Sequence, residues 1–485
     1  MSQRFSIKTL GCKANSYDGF LLDRELRRRG WSPASSKEGA DLLIINSCTV
    51  TNEADRQSRK MAARLARQNP DASVVMTGCG AEVSPSKMAE ARGVHFVVGN
   101  QDKSQLIDLV LKEIGAETDL PGARLLGTVA DYDKLKAKHP IDRDWPLPEA
   151  SFLSPDGQGE RTRVFLKIQE GCDAFCTFCI IPYARGPARS LNVDTVISHV
   201  HRLNEVGVRE IVLTGTDLGD YGKDFDAPKT LEDLIEAILE RTTMERIRVS
   251  SLDPVEITPR FMALIEHEPR ICAHVHVSLQ SPHTEILRRM KRKYTADDVQ
   301  QRLTELHDLG NRMAQTRGLM GGLFVGMDVI SGFPGEDEKI FEWTYNQLSN
   351  LPWHRLHCFP YSERSGTAAT RLSGVVPKKA RKERVRALMR LSTERLTGHA
   401  QSLVDSEEIL EVLGEGSVRG PDEAPNWAAG TTQNYYRVLF QHTEAPSLGN
   451  RLIRVLPTAV HVDERAGDVA IIGSLASGVR QKGVA

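Results

Sequence analysis

No apolar run in these 485 residues approaches the roughly 20 that a membrane-spanning helix needs. The first residues, Met1-Ser2-Gln3-Arg4-Phe5-Ser6-Ile7, lack the apolar stretch of a secretory signal, so a cytoplasmic location is expected. An excess of charge of either sign is missing too. Lys plus Arg number 63 against 64 Asp plus Glu, a formal net charge of −1, which excludes a polycationic coat for nucleic acid. Any nucleic-acid contact has to come from a local basic patch. Low-complexity tracts are absent, and a mean hydropathy of −0.34 fits a globular chain rather than a disordered or fibrous one. Cysteine is scarce, with eight in the whole chain. Six of the eight, Cys12, Cys48, Cys79, Cys172, Cys176 and Cys179, sit in glycine-bearing or metal-spaced turns. In a reducing compartment, metal ligation or thiol catalysis suits such residues better than disulfides.

The length allows roughly two to four domains. Residues 1–118 alternate short apolar runs (Phe5–Leu10, Asp41–Asn46, Ser73–Thr77, His95–Val98) with helical patterns, which predicts a parallel α/β sheet. Residues 119–160, including Asp142-Arg143-Asp144-Trp145-Pro146-Leu147-Pro148, show little periodicity and read as a connector. Between 161 and 404, strand candidates recur at Val164–Gln169, Glu210–Thr214, Arg246–Ser251, His274–Leu279, Val325–Ser331 and Arg355–Cys358. Those βα units predict a partial or full α/β barrel, closed by a helix near Lys378–Leu403. Residues 405–475 turn β-rich, as in a small all-β barrel or sandwich, and 476–485 read as a tail.

Cys172-Asp173-Ala174-Phe175-Cys176-Thr177-Phe178-Cys179 is the strongest motif. Three thiolates at this spacing hold three irons of one cubane cluster and leave the fourth open to substrate. Zinc is the alternative, although a structural zinc site wants four ligands and no fourth Cys or His lies near. Cys12, Cys48 and Cys79 each follow a predicted strand, so in a parallel sheet their loops meet at one edge as a second three-thiolate set. Three incidental buried thiols are the alternative there. Cys272 and Cys358 read as small core hydrophobes. Thr214-Gly215-Thr216 ends a strand, where glycine lets backbone approach a ligand or simply makes a turn. His274, His276, Ser278 and Gln280 share one strand face by period two, opposite Val275, Val277 and Leu279, which puts polar groups in a barrel lumen. Phe178 either stacks on a ligand's base or fills its loop.

The Cys172/Cys176/Cys179 run with Phe178 resembles the radical S-adenosylmethionine (SAM) superfamily. Together with Thr9-Leu10-Gly11-Cys12-Lys13-Ala14-Asn15, Asn46-Ser47-Cys48-Thr49-Val50-Thr51, Cys79, Ile180-Ile181-Pro182-Tyr183-Ala184-Arg185-Gly186, Leu279-Gln280-Ser281 and Gly332-Phe333-Pro334-Gly335-Glu336, it resembles the methylthiotransferases over nearly the whole chain. The resemblance implies a three-cysteine domain, a radical-SAM barrel and a C-terminal TRAM-like β domain. It implies two [4Fe–4S] clusters, SAM and an external electron donor, with no membrane or DNA partner. One cluster, on Cys172, Cys176 and Cys179, cleaves SAM to a radical that removes hydrogen from carbon. Sulfur held at the Cys12/Cys48/Cys79 cluster is inserted there, and a second SAM methylates it. Thr214, Gly215, Thr216, Ser278, Gln280 and Phe178 are then the expected SAM-binding residues.

Two cationic runs suit phosphate contacts: Arg288, Arg289, Lys291, Arg292 and Lys293, then Lys378, Lys379, Arg381 and Lys382. A solvated face is the plain alternative for each. Leu213–Gly222, Thr49–Asp55, Ser250–Pro254 and His357–Ser362 resemble the sibling class that modifies N6-threonylcarbamoyladenosine at position 37 of transfer RNA, in the anticodon loop. Sibling classes act on isopentenyladenosine or on an aspartate of a ribosomal protein. A non-catalytic iron–sulfur or zinc RNA-binding protein, or a plain electron carrier, is the reading from other classes. The loop Gly420–Trp427 reads as longer than usual, and Gly318–Met327 is expected at the substrate entrance.

Overall fold

Apolar side chains alternate to both sides of the first sheet, and each side has its own core. The computed structural model describes residues 3–34, 39–114, 123–127, 145–147, 162–422, 424–442, 448–463 and 467–476. The sheet comprises β1 (Arg4–Thr9), β2 (Ser32–Pro33), β3 (Leu42–Ser47), β4 (Ser73–Gly78), β5 (Phe96–Val98) and β6 (Arg124–Leu126). All pairs are parallel, in the order β2-β1-β3-β4-β5-β6. Leu42 and Ile44 face Leu22, Leu26 and Leu106, whereas Leu43 and Ile45 face Ala62 and Leu65. A sheet covered on both faces needs such continuous apolar strands.

β6 departs from the expected connector. It pairs with β5, which satisfies its backbone groups, but three residues are too few to show a period. Trp145 and Leu147 are also buried, on either side of the exposed Pro146. Trp145 Nε1 donates to Lys167 O at 2.7 Å, and Tyr17 Oη donates to Pro146 O at 2.7 Å. Asp142, Arg143, Asp144 and Pro148 lie outside the described residues, as do 477–485.

The second unit is an arc of parallel strands. β7 (Arg163–Lys167), β10 (Glu210–Thr214) and β11 (Arg246–Val249) pair in the order β11-β10-β7; β12 (Ser251–Leu252), β13 (His274–Gln280), β14 (Phe324–Ser331) and β15 (Arg355–Pro360) continue it. Ser250 joins β11 to β12, so the arc is a partial barrel, open between β7 and β15. A short antiparallel pair, β8 (Gln169–Glu170) and β9 (Arg189–Ser190), flanks it. Capping boxes start the helices Leu231–Arg241 (Thr230 with Asp233) and Ala296–Arg317 (Thr295 with Asp298), and Gly318 ends the latter in the left-handed conformation. The closing helix spans Lys378–Asp405.

The last unit is a closed barrel of β16 (Leu410–Ser417), β17 (Trp427–Thr432), β18 (Arg437–Gln441), β20 (Asp468–Leu475) and β19 (Leu452–Asp463), in that order. β17, with the sequence Trp-Ala-Ala-Gly-Thr-Thr, is buried throughout and has no apolar alternation to announce it. This barrel seals the N-terminal end of the arc. Arg248 Nη1 donates to Gln433 O at 3.1 Å, and the Tyr435 ring lies 4.3 Å from that of His274. Gly318–Met327 belongs to this seal and not to the substrate entrance. Asn434 Nδ2 donates to Met320 O at 2.6 Å and to Gly322 O at 3.2 Å. The segment runs into the start of β14 and so lies at the end of the arc opposite the cysteine loop. Among the described residues no helix is long and apolar enough to cross a membrane.

Candidate functional site

The loop from Gly171 to Cys179 leaves β8 at the C-terminal end of the arc. Gly171 has φ +74°, and a Cβ there would sit 2.6 Å from Gly186 O. Only glycine fits this turn. Thr177 ties the loop down: its N donates to Met290 O at 3.0 Å and its Oγ1 to Arg289 O at 2.8 Å. Ala174 N donates to Cys172 Sγ at 3.4 Å, and Cys172 Sγ lies 3.4 Å from Asp217 Oδ2. Arg292 Nη1 donates to Cys176 Sγ at 3.1 Å and also pairs with Asp253. Burial pushes Cys179 up to about 12 and Cys172 higher still. Such thiols ionise only beside strong positive charge, which bound iron provides.

Carboxylates gather beside Cys172. Ligand atoms of Asp217, Asp220 and Glu256 lie within 4.8 Å of one another. Burial, reinforced by Asp217 and Asp253, pushes Glu256 up to about 8. Burial pushes Asp253 up to about 6 despite Arg292. This acidic wall complements a cation, and SAM carries both an ammonium and a sulfonium. Gly215 packs against the Gln169 side chain, whose Oε1 accepts from Thr216 N and Asp217 N, each at 2.8 Å. Thr216 Oγ1 is buried without a partner, a free donor at the strand end. The residues present fit a three-thiolate cluster with SAM beside it.

The second set is assembled by the first sheet. Cys12 is the N-cap of helix Lys13–Arg28 and makes no side-chain cap bond, which leaves its thiol available. Cys48 follows β3, and Cys79 starts helix Cys79–Val83 after β4. Gly11 has φ +100°, and a Cβ there would lie 2.6 Å from Cys48 Sγ. Cys12 is exposed, while Cys48 and Cys79 are buried. Burial pushes Cys48 up to about 12, with Cys79 and Cys12 adding to the shift. The three thiols are free and electrostatically coupled. This donor set also fits a cluster with an open position.

Five contacts dock the sheet onto the arc beside the two cysteine sets. Helix Lys13–Arg28 packs along β7. Helix Ile181–Arg185, which begins just after Cys179, packs on the helix that Cys79 begins. Its Arg185 pairs with Glu170 and with Asp18, the latter at 3.1 Å. Lys167 Nζ reaches Asp18 at 2.6 Å. On the far side Arg364 donates to Asn52 Oδ1 at 2.8 Å and pairs with Asp55 at 2.9 Å, holding the loop after Cys48.

The other expected site residues divide. Ser278 and Gln280 point to the lumen side of β13, opposite the buried Val275, Val277 and Leu279. Gln280 has φ +61°, at a register shift in the β13–β14 pair. His274 is buried beneath Tyr435 at the sealed end. Phe178 packs edge-on against Phe333, at 6.3 Å between ring centres. Two expected RNA-contacting cations are corrected. Arg292 is turned inward to Cys176 and Asp253. Arg381 is buried, donates to Tyr361 O at 2.8 Å and pairs with Glu363 at 2.6 Å. Arg288 and Arg289 both pair with Glu285. Lys291, Lys293, Lys378, Lys379 and Lys382 stay exposed. A charge run cannot reveal which of its members a fold turns inward. Arg185, Asp217, Asp253, Glu256 and Arg364 were missed as site residues, because most of their partners are distant in sequence.

Residues 4–99 match the family described as Uncharacterized protein family UPF0004, and residues 166–348 match the Radical SAM superfamily. A threonylcarbamoyladenosine tRNA methylthiotransferase of Bacillus subtilis is 36% identical over 90% of this chain and 90% of its own length. The chain belongs to the radical SAM methylthiotransferase family. A relative of the same description from Aquifex aeolicus is 35% identical over 81% of this chain and 88% of its own. Among solved structures, the radical SAM methyltransferase TsrM of Kitasatospora setae shares the fold. Its TM-score is 0.51 at 15% identity, covering 74% of this chain and 73% of that one. Radical SAM methylthiotransferases use SAM and [4Fe–4S] clusters, in keeping with the two cysteine sets.

Proposed function

We propose that this chain converts N6-threonylcarbamoyladenosine at position 37 of transfer RNA to its 2-methylthio derivative. The observation that carries the reading is the presence of two three-thiolate sets whose adjoining helices, Ile181–Arg185 and Cys79–Val83, pack on each other. One set suits hydrogen removal and the other sulfur delivery. The relatives' names support the nucleoside. When bound, the clusters and SAM supply the radical, the sulfur and the methyl group. The chain's own residues do the rest. Cys172, Cys176 and Cys179 hold one cluster, and Arg292 neutralises thiolate charge at Cys176. Asp217 and Asp220, with the free Thr216 hydroxyl and Glu256 beside them, orient the cationic cosubstrate. Cys12, Cys48 and Cys79 hold the second cluster, with Arg185 and Arg364 fixing its distance from the first.

The target base stands in a single-stranded loop, where a protein can splay it outward. Exposed Lys291, Lys293, Lys378, Lys379 and Lys382 are the cations left for its phosphates. Electrons come from an external donor. The test is mass spectrometry of transfer-RNA nucleosides from cells with and without the gene. Loss of 2-methylthio-threonylcarbamoyladenosine, with its parent accumulating, is expected. Loss of the isopentenyl derivative instead would move the substrate to that class, and no change in either would point to a ribosomal protein.

A further inference from the structure

His276, Asp328 and His357 take no part in the cofactor site, yet they stand together on the inner wall of the arc. Val277, Met327 and Leu356 join the outer core, so His276, Asp328 and His357, each one residue away, face the lumen. The strand register sets them side by side. Asp328 is opposite His357 across the β14–β15 pair, and His276 is opposite Gly326, two residues before Asp328. A Cβ at Gly326 would lie 3.2 Å from His276 Nδ1, so the glycine leaves that ring its room. His276 Nε2 lies 3.1 Å from Asp328 Oδ1, and the ring centres of His276 and His357 are 5.3 Å apart. Asp328 is three residues short of the end of β14, roughly 10 Å below the barrel mouth by the rise of a strand.

The carboxylate is under-used. Among the described residues Asp328 makes no other ion pair and no hydrogen bond, so most of its acceptor positions are open. Its side chain is 27% exposed and that of His276 15%, which keeps both reachable from the lumen. Arg355, the cation on the same strands, is committed to Asp468 on the C-terminal barrel. Burial, with His276 adding to it, lowers His357 to about 4, which leaves a neutral ring with one donor and one acceptor nitrogen. The cluster loop and the acidic wall follow β8, β10 and β12, so the side of the arc from β13 to β15 is left to the substrate. A half-buried carboxylate with open acceptor positions calls for a hydrogen-bond donor.

We infer that Asp328, held by His276 and flanked by His357, accepts a hydrogen bond from the N6 substituent of the target adenosine and so selects a donor-bearing substituent over an apolar one. This rests on the nucleoside proposed above. Beyond the N6–H that both nucleosides share, the threonylcarbamoyl group carries two donors, a hydroxyl and a ureido N–H. An isopentenyl group carries none and would leave the Asp328 carboxylate stripped of water and unpaired. A site built to meet a donor rejects the analogue lacking it far more strongly than an apolar pocket rejects an added group.

The test compares cluster-loaded wild-type, Asp328→Leu and Asp328→Asn enzymes on anticodon stem-loop RNAs. The RNAs carry threonylcarbamoyladenosine, its valine analogue with a methyl in place of the hydroxyl, or isopentenyladenosine. Wild-type kcat/KM is expected to favour the threonylcarbamoyl over the isopentenyl substrate. In Asp328→Leu that ratio falls by roughly 10- to 100-fold, the scale of one hydrogen bond to a charged acceptor. Asp328→Asn keeps one acceptor oxygen and nearly the same shape, so its ratio falls less, and it decides the matter if Asp328→Leu does not fold. Iron content stays that of the wild type in both. A valine analogue that behaves like the isopentenyl substrate assigns the bond to the hydroxyl; one that behaves like the threonyl substrate assigns it to the ureido N–H. Two results overturn the assignment alone: the ratio is unchanged in both variants, or all three substrates weaken equally, as a structural role would produce. A wild type that methylthiolates only the isopentenyl substrate overturns the proposed nucleoside as well.

Discussion

Gly11 shows how one missing carbon holds a thiol in place. Its φ of +100° and the 2.6 Å that a Cβ would leave to Cys48 Sγ make it the wall behind that cysteine. Gly11→Ala is expected to displace Cys48 and empty the second site alone. Iron would fall by about half, the share of one of two four-iron clusters, while SAM cleavage persists. Iron analysis with 5′-deoxyadenosine measurement checks this, and unchanged iron would refute it. Glu256 makes a second prediction at this scale. Its ordinary value is 4.5, and burial with neighbouring acids pushes it up to about 8. The fold thus favours its protonated form. The stability it lends is complete below about pH 4.5 and is lost as pH rises to about 8. Glu256→Gln keeps an oxygen for the Asp253 backbone N–H, 2.8 Å away. It is expected to flatten the decline of melting temperature between pH 5 and 8. Parallel wild-type and variant profiles would contradict the assignment.

At the scale of elements, the helix Asn52–Gln68 illustrates local and distant control together. Thr51 caps it, accepting from Ala54 N at 3.1 Å. Its position against the arc depends on Arg364, more than 300 residues away, which binds Asn52 and Asp55. Arg364→Ala leaves the Asp55 carboxylate buried without its cation, a loss of about 3–5 kcal/mol by the usual cost of breaking such a pair. Hydrogen exchange should then speed up in residues 49–68 while β13 and β14 stay protected. Equal protection in both proteins would show that the docking does not rest on this pair. The basic runs carry the same lesson. Arg381 and Arg384 lie on the helix Lys378–Asp405 but face inward, to Tyr361 and Glu336, whereas Lys379 and Lys382 face solvent.

Across the whole molecule, the C-terminal barrel is part of the catalytic unit's core. Phe324, Leu396, Ala400 and Leu403 share one apolar cluster with Leu410, Val412, Val438 and Phe440. Truncation after Asp405 is expected to expose that surface and drive aggregation, seen by light scattering. A soluble, monomeric truncated chain would show that the arc closes without it. The sequence by itself determined the local structure: the parallel strands, the helices between them, both cysteine sets and the small β unit. Those features depend on period, spacing and turn chemistry within a few residues of each other. Short or unpatterned strands such as β6 and β17 escaped it, because pairing and burial alone define them. Only the tertiary structure decided that Arg292 serves a thiolate rather than a phosphate and that Gly318–Met327 seals the arc away from the entrance. Each depends on partners tens to hundreds of residues distant, and charge or glycine content carries no record of who those partners are.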